Sequence, residues 1–154
     1  MCVTVALVGL AQAAQPSEKR FVVLPPDQFG HVWVLDTTTA LRWQMTPDNT
    51  LTYWETAGQN CTNLRDGARL PKINELISLV DYSVAGNATT PVLPADNPFG
   101  HNVQSADYWS ATMFAADHAF VWRVGFLSGG SGRDRISSTD PKIPIDQNYV
   151  WCVR

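Results

Sequence analysis

The stretch Ala119 to Leu127 reads AFVWRVGFL, with Phe120, Trp122, Val124 and Phe126 on one phase of a two-residue repeat and Val121, Arg123, Gly125 and Leu127 on the other. Both phases are largely apolar, which predicts a central strand covered on both faces. DYWSAT (Asp107 to Thr112) before it and NYVWCVR (Asn148 to Arg154) after it also read as strands. Near the other end, HVWVLD (His31 to Asp36) and ALRWQM (Ala40 to Met45) flank a TTT turn and predict a hairpin, followed by a turn at PDNT. Two segments between these strands follow helical spacing instead. In TYWETAGQNCTNL, Trp54, Ala57, Cys61 and Leu64 form one stripe, and Thr52 stands three residues before Glu55 as in a capping box. This predicts a helix from near Thr52 to about Asp66-Gly67. In RLPKINELISLVD (Arg69 to Asp81), Ile73, Leu76, Ile77 and Val80 repeat at i, i+3, i+4 and i+7 behind Pro71 in the first turn, so this helix turns its apolar face to the core. Arg69 and Glu75 are either solvated charges or an ion pair tying that helix to the loops. From Ser83 to Asp107 periodicity fails and Pro91, Pro94 and Pro98 intervene, which predicts a long surface loop. SGGSG reads as a flexible turn and RDRISSTDPKIPIDQ as a polar connection.

Composition narrows this to one compact domain of loop-rich α+β or mostly β structure: 154 residues, 45% hydrophobic, with 6 Trp, 6 Phe, 4 Tyr, 10 Gly and 10 Pro. The net charge of -3 and the lack of any basic run leave out the broad electrostatic footprint of a nucleic-acid binder, so anion binding needs a local patch. VTVALVGL followed by AQAAQ reads as a signal peptide over residues 1–13, with Ala11 and Ala13 at the small-x-small cleavage positions. It lacks a basic residue ahead of the apolar run, and the alternative is an N-terminal apolar strand. Residues 14–30 then form an N-terminal extension and 31–154 the domain, and no stretch reaches the length of a membrane span. Cleavage after Ala13 removes Cys2 and leaves Cys61 and Cys152, an even pair in an oxidising compartment. A structural disulfide is the expectation and a catalytic thiol the alternative. With no CxxC and only His31, His101 and His118 as histidines, neither a metal site nor any cofactor is expected.

The segments TTTALRWQ, YWETAGQNCTNL, RLPKINELISLVDYS, YWSAT, FVWRVGF and the terminal CVR occur in an order that resembles the Lcl C-terminal-like domains, over about Asp36 to Arg154. The resemblance implies an α+β, C-type-lectin-like fold, shared at a distance with formylglycine-generating enzymes and phage receptor-binding proteins. In such a fold two helices pack on a small antiparallel sheet with long irregular loops, and the N- and C-terminal strands pair. A disulfide joins the first helix to the last strand, which places the bridge between Cys61 and Cys152. Closing a loop of about 90 residues contributes on the order of 4 to 5 kcal/mol in the chain-entropy picture. Members are bacterial and usually exported, and the namesake domain ends a collagen-like adhesin associated with sulfated glycosaminoglycans. No Gly-x-y stalk is present in this chain. A basic residue often precedes the family's terminal cysteine, whereas Trp151 stands there, marking a packing or interface difference.

The calcium triplets of sugar-binding C-type lectins, Glu-Pro-Asn or Gln-Pro-Asp with a downstream Trp-Asn-Asp, do not occur; Asp96, Asn97 and Pro98 offer oxygen ligands but read as a turn. Trp109 and Trp122 sit in strand patterns and are expected to pack in the core. The remaining candidate ligand-binding residues are His101 and Asn102 at the end of the proline-rich loop, His118 in MFAADHA, and Arg133 and Arg135 after the glycine turn. If these loops converge, Arg133, Arg135 and Lys142 form a cationic patch for a sulfate or carboxylate, although Asp134 and Asp140 bring the local balance near neutral. The functional expectation is an exported binding or adhesion module for a sulfated or acidic glycan or a protein ligand. The alternative is an exported enzyme such as a formylglycine-type oxidase, which needs a redox-active cysteine pair.

Overall fold

The computed structural model describes residues 19–154, so the expected signal peptide lies outside the described residues. The chain is a mixed α+β protein with two sheets and two helices. The first sheet, in order β1-β2-β3, is antiparallel: β1 (Phe21–Val23), β2 (Trp33–Asp36) and β3 (Leu41–Gln44). The β2–β3 hairpin matches the sequence expectation. Its turn closes on Asp36, whose C=O accepts the N–H groups of Thr39 and Ala40 and whose carboxylate accepts that of Thr38. Ala40 takes the left-handed backbone (φ 60°) that brings the chain back into β3.

The second sheet has the order β4-β8-β5-β6-β7, built from β4 (Asp48–Thr52), β5 (Asp107–Met113), β6 (Phe120–Gly125), β7 (Ser131–Arg135) and β8 (Asn148–Val150). All its pairs are antiparallel except β5 with β8. β6 is an inner strand, as its doubly apolar pattern predicted. β4 and β7 are the outer strands of this sheet, and their sequences, DNTLT and SGRDR, lack the apolar alternation that marks a half-buried strand. The sequence reading of PDNT as a turn and of residues after SGGSG as a connection is corrected accordingly.

Pairing of the first and last strands is also corrected. β8 lies between β4 and β5, and the residues after it run beside β3 instead: Gln44 N–H donates to Cys152 O at 3.0 Å, and Arg42 and Arg154 exchange backbone bonds at 2.8 and 2.9 Å. Val153 exchanges a second pair with Arg69 on its other side. These last residues thus join the two sheets.

The first helix, α1 (Trp54–Asn63), starts two residues later than predicted. Thr52 belongs to β4, where its C=O accepts the Trp109 indole N–H at 2.7 Å, so Tyr53 and not Thr52 caps the helix. Its end is set by Arg65, Asp66 and Gly67, three consecutive residues with positive φ. The second helix, α2 (Ile73–Ile77), is far shorter than residues 69–81. Pro71 stands outside it, and the Glu75 carboxylate accepts the Lys72 N–H at 2.7 Å at its start. Leu79 and Val80 continue the apolar spacing in a tighter turn with bonds to residues three back, which is why the pattern looked like more helix.

Alternation along the large sheet sends side chains into two apolar clusters. Tyr108, Val124 and Trp151 join Trp43, Leu76, Leu79 and Phe99 in the larger one. Trp109, Val121, Val150 and Cys152 join Ala57, Cys61 and Leu70 under α1 in the smaller. The proline-rich segment is more than a surface excursion, because Val92, Leu93, Phe99 and Val103 are buried in the larger cluster. Phe99 stands edge-on to Trp151 with ring centroids 4.8 Å apart. Cys61 and Cys152 are bonded, with Cα atoms 5.4 Å apart, and the bridge ties α1 to the residue after β8 and Trp151. Arg69 and Glu75 form the ion pair, a two-bond contact at 2.8 Å each.

Candidate functional site

The hairpin from β5 to β6 turns through Phe114 to Ala119, held by Phe114 N–H to Phe120 O at 2.9 Å and by Ala119 N–H to the Asp117 carboxylate. His118 sits exposed in this turn. β7 pairs beside β6 in a register that sets Arg135 opposite Phe120 and Arg133 opposite Trp122. Directly opposed residues share a face. One face at this end of the sheet therefore carries Phe120, Trp122, Arg133 and Arg135. Phe114 completes it, edge-on to Trp122 at 5.7 Å.

The guanidinium of Arg133 lies 4.3 Å from the Phe114 ring centroid and 5.6 Å from that of Phe120; Arg135 lies 4.5 Å from Phe120. Stacking on a ring face uses the π surface of each guanidinium and leaves its in-plane N–H groups for an acceptor. Neither guanidinium has a carboxylate partner among the described residues.

Asp134 does not offset them, because the pleat turns it to the opposite face. There Arg123 lies between Asp134 at 3.3 Å and Asp107 at 3.0 Å, and Asn148 Nδ2 donates to Asp134 at 2.7 Å. Gly132 lies beneath that guanidinium, and a Cβ there would meet its Cζ and Nη2 at 2.9 Å. Burial raises the pKa of Asp107, and the negative Asp134 adds to this, against the lowering by Arg123. The near-neutral balance read from Arg-Asp-Arg thus gives way to two arginines on one face and a closed ion network on the other.

Beside Arg135 a hollow of about 320 Å³ is lined by Ala119, Ser137, Ser138, Thr139, Asp140 and Ile143. Asp140 accepts the Lys142 backbone N–H at 2.9 Å, and Lys142 itself is exposed in the same connection.

His101 and Asn102 lie elsewhere. They fall in a 3-10 turn (Gly100–Asn102) ahead of β5, and His101 borders a separate hollow of about 350 Å³ with Pro91, Leu93 and Pro94. They flank the start of β5 while His118 follows its end, and seven residues of strand span about 20 Å. His118 thus lies in the turn at the end of the sheet that carries Arg135, and His101 and Asn102 lie apart from it. Asn97 closes its own turn, accepting the N–H groups of Phe99 and Gly100 and donating to Pro94 O. No three His, Cys, Asp or Glu side chains gather as metal ligands among the described residues. Trp109 is fully buried, whereas Trp122 is half-buried at the arginine face. The supporting role of Phe114 and Phe120 escaped sequence reasoning; the signal for it was the R-x-R spacing, which puts both arginines on one side of any strand.

A family model described as Lcl C-terminal domain matches residues 32–154. The chain belongs to the Lcl C-terminal domain family. No curated protein and no solved structure matches it. For this member of the family, no helix among the described residues is long and apolar enough to cross a membrane.

Proposed function

We propose that the chain is an exported binding or adhesion module with a C-type-lectin-like fold, which takes an anionic ligand, glycan or protein, on the face built from Phe114, Phe120, Trp122, Arg133 and Arg135. The observation that carries this is the pair of arginines on one strand face, each guanidinium over a phenylalanine ring and without a carboxylate partner among the described residues. Planar guanidinium groups fixed in this way match sulfate and carboxylate oxygens two at a time. The hydroxyls of Ser137, Ser138 and Thr139 beside Arg135 add neutral hydrogen-bonding groups suited to a polar ligand.

The oxidase alternative requires an accessible cysteine pair. Cys61 and Cys152 are joined to each other and only 0% and 2% exposed, which favours a scaffold role.

The test is a glycan array followed by a salt titration of each hit. Binding is expected to fall several-fold between low and physiological salt, and Arg133→Ala with Arg135→Ala is expected to weaken it about tenfold or more while the far-ultraviolet circular dichroism is unchanged. Hits that ignore both salt and the double substitution would remove this face as the site.

A further inference from the structure

β7 is the outermost strand of the large sheet, and its two edges differ. Gly125 N–H donates to Gly130 O and Ile136 N–H to Ala119 O, so the even-numbered residues of β7 bond inward to β6. The odd-numbered residues Ser131, Arg133 and Arg135 then turn their backbone N–H and C=O groups outward. At Arg135 both are taken by one acidic residue of the same chain: Asp146 N–H donates to Arg135 O at 2.8 Å, and the Asp146 carboxylate accepts Arg135 N–H at 2.7 Å. At Ser131 and Arg133 the outward groups have no protein partner among the described residues. The protein thus lays one acidic residue along this edge and leaves the adjoining positions open.

We propose that Ser131 and Arg133 take up an extended acidic strand of a partner protein, added to the sheet along the open part of β7 with a carboxylate beside Arg133. This rests on the reading of that face as an anion site and gives its ligand a chemistry, a protein strand. Main-chain pairing supplies affinity in such additions, and alternate side chains supply specificity. A second copy of this chain is a poor occupant. Two β7 edges side by side would gather the Arg133 and Arg135 guanidinium groups of both copies on one face, and like charges facing each other across strands destabilise pairing. A strand with acidic residues on alternate positions replaces that repulsion by charge-assisted contacts to Arg133.

The test uses the full exported chain, labelled with nitrogen-15, and three probes: a blocked nonapeptide of alternating threonine and glutamate, its threonine-lysine counterpart, and a sulfated oligosaccharide. The acidic peptide is expected to slow amide exchange at Ser131 and Arg133 by tenfold or more and to leave Gly132, whose N–H is already in the ladder, unchanged. The lysine peptide is expected to protect neither Ser131 nor Arg133. Ser131→Pro removes one outward N–H at the first position of the strand, where proline is tolerated, and keeps both arginines. It is expected to weaken the acidic peptide at least fivefold and to leave the oligosaccharide unaffected. Peptide binding without protection at Ser131 and Arg133, or equal binding by Ser131→Pro, overturns strand addition. Binding of the oligosaccharide alone overturns it too while the anionic reading stands, and no binding by either anionic probe overturns both.

Discussion

Asp27 shows how a single carboxylate can organise a corner of this molecule. One of its oxygens accepts the backbone N–H groups of Phe29 and His31, and the other accepts the Trp33 indole at 2.9 Å and the Arg154 guanidinium at 3.3 Å. Desolvation raises its pKa, but the bonds from Trp33, His31 and Phe29 outweigh it and push it down to about 2. Asp36 is fully buried, and although burial opposes its charge, the two bonds from Arg20 and the Thr38 N–H hold it below the usual carboxylate range. A carboxylate with a lowered folded pKa contributes stability that is complete above its unfolded pKa, near 4, and is lost as pH falls through the folded one. The urea midpoint is therefore expected to drop between about pH 5 and pH 2, and Asp27→Asn to be less stable at pH 7 with a shallower acid limb. An unchanged acid limb in that variant would assign the acid sensitivity to other groups. The local half of the Asp27 site is written in the sequence, since an Asp two residues before a turn is an Asx motif. The other half comes from a residue 127 positions away and carries no sequence signal.

Among the elements, the residues after β8 do more than their strand pattern suggested. Trp151 is fully buried, touches the rings of Trp43, Phe99, Tyr108 and Phe126 at centroid distances of 4.8 to 5.8 Å, and donates its indole N–H to Gln44 O at 2.8 Å. Trp151 is thus a packing residue. Trp151→Ala is expected to cost about 3 to 5 kcal/mol, read as a lower urea midpoint; a loss under about 1 kcal/mol would mean that the cluster closes over the gap. β2, β3, β5 and β6 were legible because each has a covered face that imposes alternation. β4 and β7 were not, because an edge strand facing water has no apolar phase to display. The same cause obscured the charge balance at the candidate site. Arg-Asp-Arg reads as a mixed cluster along the chain, and only the pleat of β7 separates the arginines from the aspartate.

For the molecule as a whole, the Cys61–Cys152 bridge spans 91 residues and fastens α1 to the segment that joins the two sheets. Replacing both cysteines by alanine is expected to lower stability by about 2 to 5 kcal/mol, measured by denaturant titration against the oxidised protein. A midpoint unchanged within error would show that packing around Trp151 and Val153 suffices for closure. Removing residues 151–154 deletes the bridge together with three buried side chains and is expected to leave no cooperative transition.

The seam between β3 and the residues after β8 also sets a schedule. The hairpin of β2 and β3 closes over a handful of residues and is free to form within microseconds. The outer edge of β3 waits for a partner 108 residues further along, from Gln44 to Cys152. During synthesis at roughly 5 to 20 residues per second, that edge stays open for seconds, about a million times longer than the hairpin takes to appear. The edge of β3 is therefore closed only when residues 152–154 dock beside it, and holding factors that protect open strand edges would act in that interval.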